Sequence, residues 1–267
     1  MVDDSGKIAA DKLAADSDWP DLVRKVRART PARILVGHAG PAYRTETQLQ
    51  LREDHAAARD AVRAELDVQA AFGADFVERW KIFEVGTRAS SKDEYLQHPS
   101  QGRAFSDASR AEIARRCAAE RDLQIAIGDG LSVPAIGAQV PRLFPLLVEG
   151  AQARGWSVGQ TFVIHHCRVG IVNEIGELLR PRIVLLLIGE RPGLATAESL
   201  SAYMAYRPER THSDANRNLI SNIHSRGLSP EEAGSRILNL SALMMKLRVS
   251  GVTLKEIAGH EPESLPK

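Results

Sequence analysis

Two carboxylates, Glu190 and Asp129, lie at the ends of apolar runs, where burying a charge costs free energy. Glu190 directly follows Gly189 and the apolar run Ile183–Ile188. Burying a carboxylate costs free energy unless it meets water, a cation or hydrogen-bond donors. Glu190 is therefore either a ligand-binding group or the ion-pair partner of Arg191 or Arg168. Asp129, which lies between two glycines, has a similar ambiguity, because an aspartate in front of a helix can also cap that helix.

The other residues that could take part in catalysis or metal binding indicate a function less clearly. Adjacent strand residues face opposite sides, so His165 and His166 cannot easily hold one metal ion, and we expect one packed and one exposed ring. Cys117 and Cys167 lie 50 positions apart without a CxxC motif, which predicts free thiols in a reducing compartment. The segment NLISNIH (218–224) is either a helix with turn-forming ends or a surface for a ligand rich in amides and hydroxyls.

No signature of a self-sufficient enzyme accompanies these groups. The motifs GxSxG, GxxxxGK[ST], HExxH and GxGxxG do not occur. Three interpretations stay open on the residues alone. The chain could hold a ligand for chemistry done by a partner, or it could be an α/β hydrolase or transferase that acts alone through Asp129, Glu190 and His165. It could also be a purely structural, non-catalytic scaffold.

Composition limits the classes of partner. The chain has 267 residues, a net charge of +1, 43% hydrophobic and 26% charged residues, which is typical of a globular protein. A near-neutral chain argues against a dedicated nucleic-acid binder. No apolar run approaches the roughly 20 residues that span a membrane, and the polar, acidic start does not resemble a secretory signal. We therefore expect a cytoplasmic protein that binds neither nucleic acid nor membrane.

The elements around Glu190 and Asp129 predict a parallel sheet. Leu123–Ile127, Thr161–His165 and Ile183–Ile188 are apolar runs of strand length, and helical segments near Val140–Val148 and Val172–Leu179 separate them. Continuous apolar strands alternating with helices are typical of a parallel sheet covered on both faces. Ligands of such sheets lie beyond the carboxyl ends of the strands. The polar loops that follow these strands therefore mark the expected site.

Helical patterns precede this sheet. We predict a short helix within Trp19–Arg29, a long amphipathic helix from Thr47 that ends before Gly73, and a further helix over Arg110–Glu120. The chain then divides into a flexible arm (1–20), a helical region (21–110) and an α/β domain (111–267).

Two patterns mark the C-terminal part. The alternation in AYMAYRP (202–208) predicts a short strand. Ser229, Pro230 and Glu232 form the start of a capped helix, since serine suits the N-cap, proline the first turn and glutamate the capping box.

Four segments resemble the small (light) subunit of ethanolamine ammonia-lyases. They are VGHAGPAYRTETQLQLREDHAAARDAV, GDGLS, IGERPGLATAESLSAYMAYRP and LISNIH. Their order and spacing match that family across roughly residues 30–250. The resemblance implies a Rossmann-like, cobalamin-holding α/β domain with a helical N-terminal extension that contacts the large subunit.

The resemblance also implies a function. Family members use adenosylcobalamin, a cofactor that carries the radical chemistry, to convert ethanolamine to acetaldehyde and ammonia. The large subunit, a β/α barrel, holds the substrate and the catalytic residues, and the small subunit encloses the cobalamin. We therefore expect neither catalytic residues nor metal ligands on this chain. The implied state is a hetero-oligomer in the cytoplasm, either free or within a bacterial microcompartment.

Three cofactor contacts carry over by motif: Val169, Glu190 and Leu219. The base-off signature D-x-H-x-x-G is absent, which is compatible with base-on cobalamin. We further hypothesise that the loop His38–Thr47 and the helix after it meet the large subunit.

Overall fold

The computed structural model describes residues 20–30, 34–36, 38–193 and 195–254. Close contacts divide the chain into two compact units, residues 1–55 and residues 56–267. All but the last residue of the expected flexible arm, residues 1–20, lies outside the described residues.

The described residues form nine α-helices and eight strands. The helices are α1 (Asp21–Arg27), α2 (Thr45–Arg63), α3 (Val68–Phe72), α4 (Ala74–Trp80), α5 (Lys92–Gln97), α6 (Asp107–Arg116), α7 (Val133–Ala153), α8 (Ile171–Leu179) and α9 (Pro230–Leu247). The strands are β1 (His38–Ala39), β2 (Ala42–Tyr43), β3 (Phe83–Gly86), β4 (Leu123–Gly128), β5 (Phe162–His165), β6 (Ile183–Gly189), β7 (Leu200–Tyr206) and β8 (Asn218–Ile223).

Six strands form one mixed sheet in the order β3-β5-β4-β6-β7-β8. The pairs β3–β5, β5–β4 and β4–β6 are parallel, which confirms the predicted parallel sheet for the three apolar strands. The pairs β6–β7 and β7–β8 are antiparallel. The connection 190–199 is too short for the crossover that a parallel partner of β6 would need, so the chain turns back.

The central strands are buried on both faces, which explains their continuous apolar runs. Ile125 and Ile127 of β4 pack into one core with α7 and α9, whereas Ala126 between them faces a second core with α6 and α8. Burial of both alternating sets is what a sheet covered by helices requires.

Two predicted elements are wrong. The long helix expected from Thr47 to Gly73 ends at Arg63, because Asp67 starts a new helix by accepting a hydrogen bond from the N–H of Ala70 at 2.9 Å. The segment NLISNIH, for which a helix was one interpretation, forms β8 and the turn after it.

Other predictions are confirmed. Ser229 and Glu232 form the capping box of α9, and AYMAYRP falls largely in β7. Cys117 and Cys167 are both free and buried.

Within the described residues, no helix combines the length and apolar character that a membrane crossing needs.

Candidate functional site

A cavity of about 380 Å³ opens at the carboxyl ends of β4, β5 and β6. Its lining also includes residues of β7 and β8, because the antiparallel turn of β7 starts at the same edge. The lining residues are Tyr95, Gly130, Leu131, Cys167, Arg168, Val169, Ile188, Gly189, Glu190, Arg191, Ser201, Tyr203, Leu219 and Ser221. The structure thus brings Val169, Glu190 and Leu219, separated by up to 50 positions in sequence, onto one surface.

Glu190 is held by hydrogen-bond donors rather than by a cation. Its Oε1 accepts from the hydroxyl of Ser201 at 2.7 Å and from the N–H of Asn222 at 2.9 Å. Among the described residues it forms no ion pair, so the expected pairing with Arg191 or Arg168 is wrong. Its second oxygen, Oε2, has no hydrogen-bond partner within the described part of the chain. The carboxylate is therefore oriented at one oxygen and available at the other.

The polar residues of NLISNIH support this orientation. Asn222, with a left-handed φ of 62°, accepts through Oδ1 from Nε2 of His224 at 2.8 Å. The Nδ1 of His224 accepts from the N–H of Arg226 at 3.2 Å, which requires the neutral ring. Burial lowers the pKa of His224, in agreement with that form. The side chains of Asn222 and His224 therefore fix the backbone beside Glu190. Of this motif, only Leu219 and Ser221 line the cavity.

Asp129 has a structural role beneath the cavity. It is fully buried, and its two oxygens accept from the N–H groups of His166 and Cys167, each at 2.8 Å. Lys92 lies 3.5 Å from the same carboxylate. The helix-cap interpretation of Asp129 is wrong, because Ser132 caps α7. Asp129 instead fixes the loop that presents Arg168 and Val169, where His166 adopts a left-handed φ of 57°.

A tyrosine that sequence patterns did not single out supports the same loop. The hydroxyl of Tyr95 donates to the carbonyl oxygen of Cys167 at 3.0 Å, and the guanidinium of Arg168 lies 4.2 Å from the Tyr95 ring centroid. Burial raises the pKa of Tyr95 and of the Cys167 thiol, so both groups stay neutral near pH 7. No local signal could have found Tyr95, because its partners lie about 70 positions away.

The two rings of the histidine pair have separate partners. Nε2 of His165 lies 2.7 Å from Glu84, and the ring of His166 contacts the carbonyl of Ala89 at 3.0 Å and Glu65 at 3.2 Å. Both rings are partly buried, so the expectation of one packed and one exposed ring is wrong. Within the described residues, no cluster of three or more histidine, cysteine, aspartate or glutamate side chains could hold a metal ion.

The arrangement does not form a self-contained catalytic triad. Of the residues considered for a stand-alone hydrolase or transferase, only Glu190 lines the cavity, whereas Asp129 is committed to backbone N–H groups and His165 pairs elsewhere. The cavity combines one available carboxylate oxygen with apolar surface from Val169 and Leu219. The cavity therefore offers a hydrogen-bond acceptor beside apolar surface.

Comparison with known proteins gives one consistent result. The family model described as "Ethanolamine ammonia-lyase light chain (EutC)" matches residues 20–255. Proteins named ethanolamine ammonia-lyase small subunit are similar in three bacteria. The Clostridium acetobutylicum protein is 39% identical over 231 residues, which cover 86% of this chain and 93% of that protein. The Clostridioides difficile protein is 40% identical over 230 residues (86% and 76%), and the Listeria monocytogenes protein is 41% identical over 231 residues (86% and 77%).

Proposed function

Because this chain belongs to the ethanolamine ammonia-lyase light-chain family and is the small subunit of that carbon–nitrogen lyase, we propose that its sheet-edge cavity binds adenosylcobalamin. Val169, Glu190 and Leu219 are the proposed contacts. We further propose that residues 21–110, which also contribute β3 to the sheet, meet a large subunit that supplies the substrate pocket, and that residues 111–267 form the rest of the Rossmann-like, cobalamin-holding domain. The assembled hetero-oligomer would work in the cytoplasm, either free or within a bacterial microcompartment.

The donor and acceptor set of the cavity fits this cofactor. A corrin is a broad, largely apolar ring whose rim carries amide groups. The unpartnered Oε2 of Glu190 can accept from a rim amide N–H, while Leu219, whose side chain is 46% exposed, offers apolar surface to the ring. A half-buried Val169 extends that surface. The single observation that carries the proposal is that these three residues share one cavity lining.

The size of the cavity supports a shared binding site. A volume of about 380 Å³ accommodates an edge of a corrin with its substituents, not the whole cofactor. We propose that the large subunit covers the remainder.

The chain's own contribution is binding, orientation and exclusion of water. When bound, adenosylcobalamin supplies the radical chemistry through which ethanolamine is converted to acetaldehyde and ammonia. Glu190 would hold an amide at the rim of the cofactor, and Asp129 holds the loop that carries Val169 in one conformation. Cys167 and Tyr95 remain protonated beside the cavity, so they add neither a thiolate nor a phenolate to it. No proton transfer to the substrate is assigned to this chain.

Substitution of Glu190 by glutamine tests the cofactor site. Glutamine keeps an oxygen that can accept from Ser201 and Asn222, but it replaces the available Oε2 with an NH₂ donor. Loss of a charge-assisted hydrogen bond costs about 1.5–3 kcal/mol, so we expect adenosylcobalamin affinity of the assembled enzyme to fall roughly tenfold to a hundredfold. Equilibrium binding, followed by the cobalamin absorbance, measures the change.

Glu149→Gln is the matched control, because Glu149 is exposed on α7 and outside the cavity. Both variants should have the unfolding midpoint of the parent chain. Unchanged cofactor affinity in Glu190→Gln would contradict the proposed contact. Turnover of ethanolamine by this chain without a large subunit would contradict the division of labour and favour a stand-alone enzyme.

A further inference from the structure

A second cavity, of about 520 Å³, has a lining dominated by arginine. We refer to this cavity as the arginine basin. It is lined by Arg88, Arg103, Ala104, Arg110, Gly170, Asn173, Glu174, Glu177, Arg210, His212, Ser213, Asp214 and Arg217. The basin shares no residue with the sheet-edge cavity. The two cavities adjoin in sequence, because Val169 lines the sheet-edge cavity and Gly170 lines the basin.

The charges of the basin do not balance. Its five arginines face three carboxylates, and each carboxylate already has an arginine partner. These pairs are Arg110–Glu174, Arg210–Glu177 and Arg217–Asp214. Arg88 and Arg103 form no ion pair with any carboxylate of the described residues. The basin therefore holds two positive charges in excess, before any charge on His212 is counted.

Arg217 is the most enclosed of these cations. Its side chain is only 5% exposed, and it is held by Asp214 and by Oδ1 of Asn173, which accepts from Nη2 at 3.0 Å. Its Nε is buried and has no hydrogen-bond partner among the described residues. A buried guanidinium N–H without an acceptor is costly, so Arg217 is a strained cation within the lining of the basin.

The side chain of Arg103 packs against the backbone of Gly170. A Cβ added at Gly170 would stand 2.9 Å from Cγ of Arg103 and 3.0 Å from its Cδ. The glycine thus lets the Arg103 stem lie against the start of α8. The stem is held close to the backbone, while its guanidinium remains without a carboxylate.

We propose that the arginine basin binds a phosphoryl group. Inorganic phosphate or a phosphomonoester carries up to two negative charges, which matches the two unpaired cations, and a phosphodiester carries one. In each case the oxygens accept from planar guanidinium groups in bidentate fashion. Each carboxylate of the basin already has an arginine partner, so none of them pairs with Arg88 or Arg103. Both of these arginines are exposed in the lining, where a ligand can reach them, and their excess positive charge favours an anion.

Two sources could supply this group. One is inorganic phosphate or a small phosphorylated molecule. The other is the phosphodiester in the nucleotide arm of cobalamin, since the basin adjoins the proposed cofactor cavity at Val169–Gly170. Only the second source rests on the proposed function.

Titration of the full-length chain with inorganic phosphate, followed by calorimetry, tests the first source. We expect saturable binding that weakens about a hundredfold in Arg88→Gln/Arg103→Gln, because the variant loses two charge-assisted contacts and each accounts for roughly one decade. The matched control is Arg121→Gln/Arg180→Gln, which removes two exposed arginines outside both cavities. Thermal unfolding of all variants checks that the fold is retained.

The second source is tested in the assembled enzyme with cobalamin and with cobinamide, which lacks the phosphodiester. A variant that loses cobalamin affinity but keeps cobinamide affinity supports the nucleotide arm as the ligand. Equal phosphate, cobalamin and cobinamide affinities in the basin variant and the control would overturn the proposal. It would also fail if the basin variant lost only its association with the large subunit, which would assign the basin to a protein interface.

The two proposals can fail independently. Phosphate binding to the basin does not involve Glu190, so a negative result for Glu190→Gln leaves it intact. Conversely, if the basin does not bind phosphate, the proposal that the sheet-edge cavity binds cobalamin is not contradicted.

Discussion

Asp129 and Glu190 both follow apolar strands, yet they end in different environments. Asp129 satisfies its two oxygens with the N–H groups of His166 and Cys167, whereas Glu190 keeps one oxygen available to the cavity. Their sequence surroundings are alike, because each stands next to a glycine just after a buried strand. The difference arises from which backbone lies opposite each carboxylate.

This contrast leads to a prediction for Asp129→Asn. The amide would present an NH₂ group to one of the two backbone donors and leave Lys92, whose side chain is 9% exposed, without its negative partner. Removing one member of a buried pair costs about 3–5 kcal/mol, so we expect a loss of that order in the free energy of unfolding. Denaturant titration measures it.

Asp93→Asn, next to Lys92, provides the control. Asp93 is exposed, and its ion pair with Arg63 should contribute less than about 1 kcal/mol to the free energy of unfolding. Adding Lys92→Met to Asp129→Asn should restore part of the loss, because the uncompensated ammonium is removed. Equal stabilities of the two single variants would show that Asp129 is dispensable to the fold.

At the scale of elements, the connection between β4 and α7 lies against the end of β6. Gly130 has a φ of 61°, and a Cβ placed on it would lie 2.2 Å from the carbonyl oxygen of Gly189. The glycine therefore has two roles, a left-handed backbone and a close approach between two loops of the cavity.

Gly130→Ala should destabilise the chain more than Gly155→Ala. Gly155 also has a left-handed φ, of 73°, but a Cβ there meets nothing within 4 Å. We expect roughly 1 kcal/mol for Gly155→Ala from the backbone alone, and about 1–3 kcal/mol more for Gly130→Ala from the clash. Thermal unfolding of the two variants separates these terms, and equal midpoints would contradict the importance of the close approach.

Element predictions succeeded where the signal was local. The capping box at Ser229 and the apolar runs of β4, β5 and β6 depend on neighbouring residues only. The strand β8 was ambiguous because its buried residues, Ile220 and Ile223, are three apart, a spacing that resembles a helix. An irregular register between β7 and β8 produces that spacing, and it arises only when the two strands pair.

At the scale of the whole molecule, the small hairpin β1–β2 offers a test of assembly. Tyr43 is 45% exposed, and its ring centroid lies 4.8 Å from that of His38. An exposed aromatic residue beside an arginine is typical of a protein interface. We therefore expect Tyr43→Ala/Arg44→Ala to reduce co-purification with the large subunit.

The control for assembly is Lys246→Ala/Leu247→Ala, which removes an exposed basic and an exposed apolar residue from the end of α9. Quantitative pull-down of the co-expressed subunits measures both variants. Full recovery of the complex with Tyr43→Ala/Arg44→Ala would contradict a role of this hairpin in the interface.

Local pattern and motif were sufficient to predict the parallel strands, the capped last helix, the family and the edge of the sheet at which a cavity opens. Hydrophobic periodicity and capping depend on residues a few positions apart, and motif strings can be compared without coordinates. Folding was needed to pair Glu190 with Asn222, to place Tyr95 against Cys167 and to gather five arginines around one basin. These contacts join residues tens of positions apart, so they depend on how helices and strands pack, and no local pattern encodes that packing.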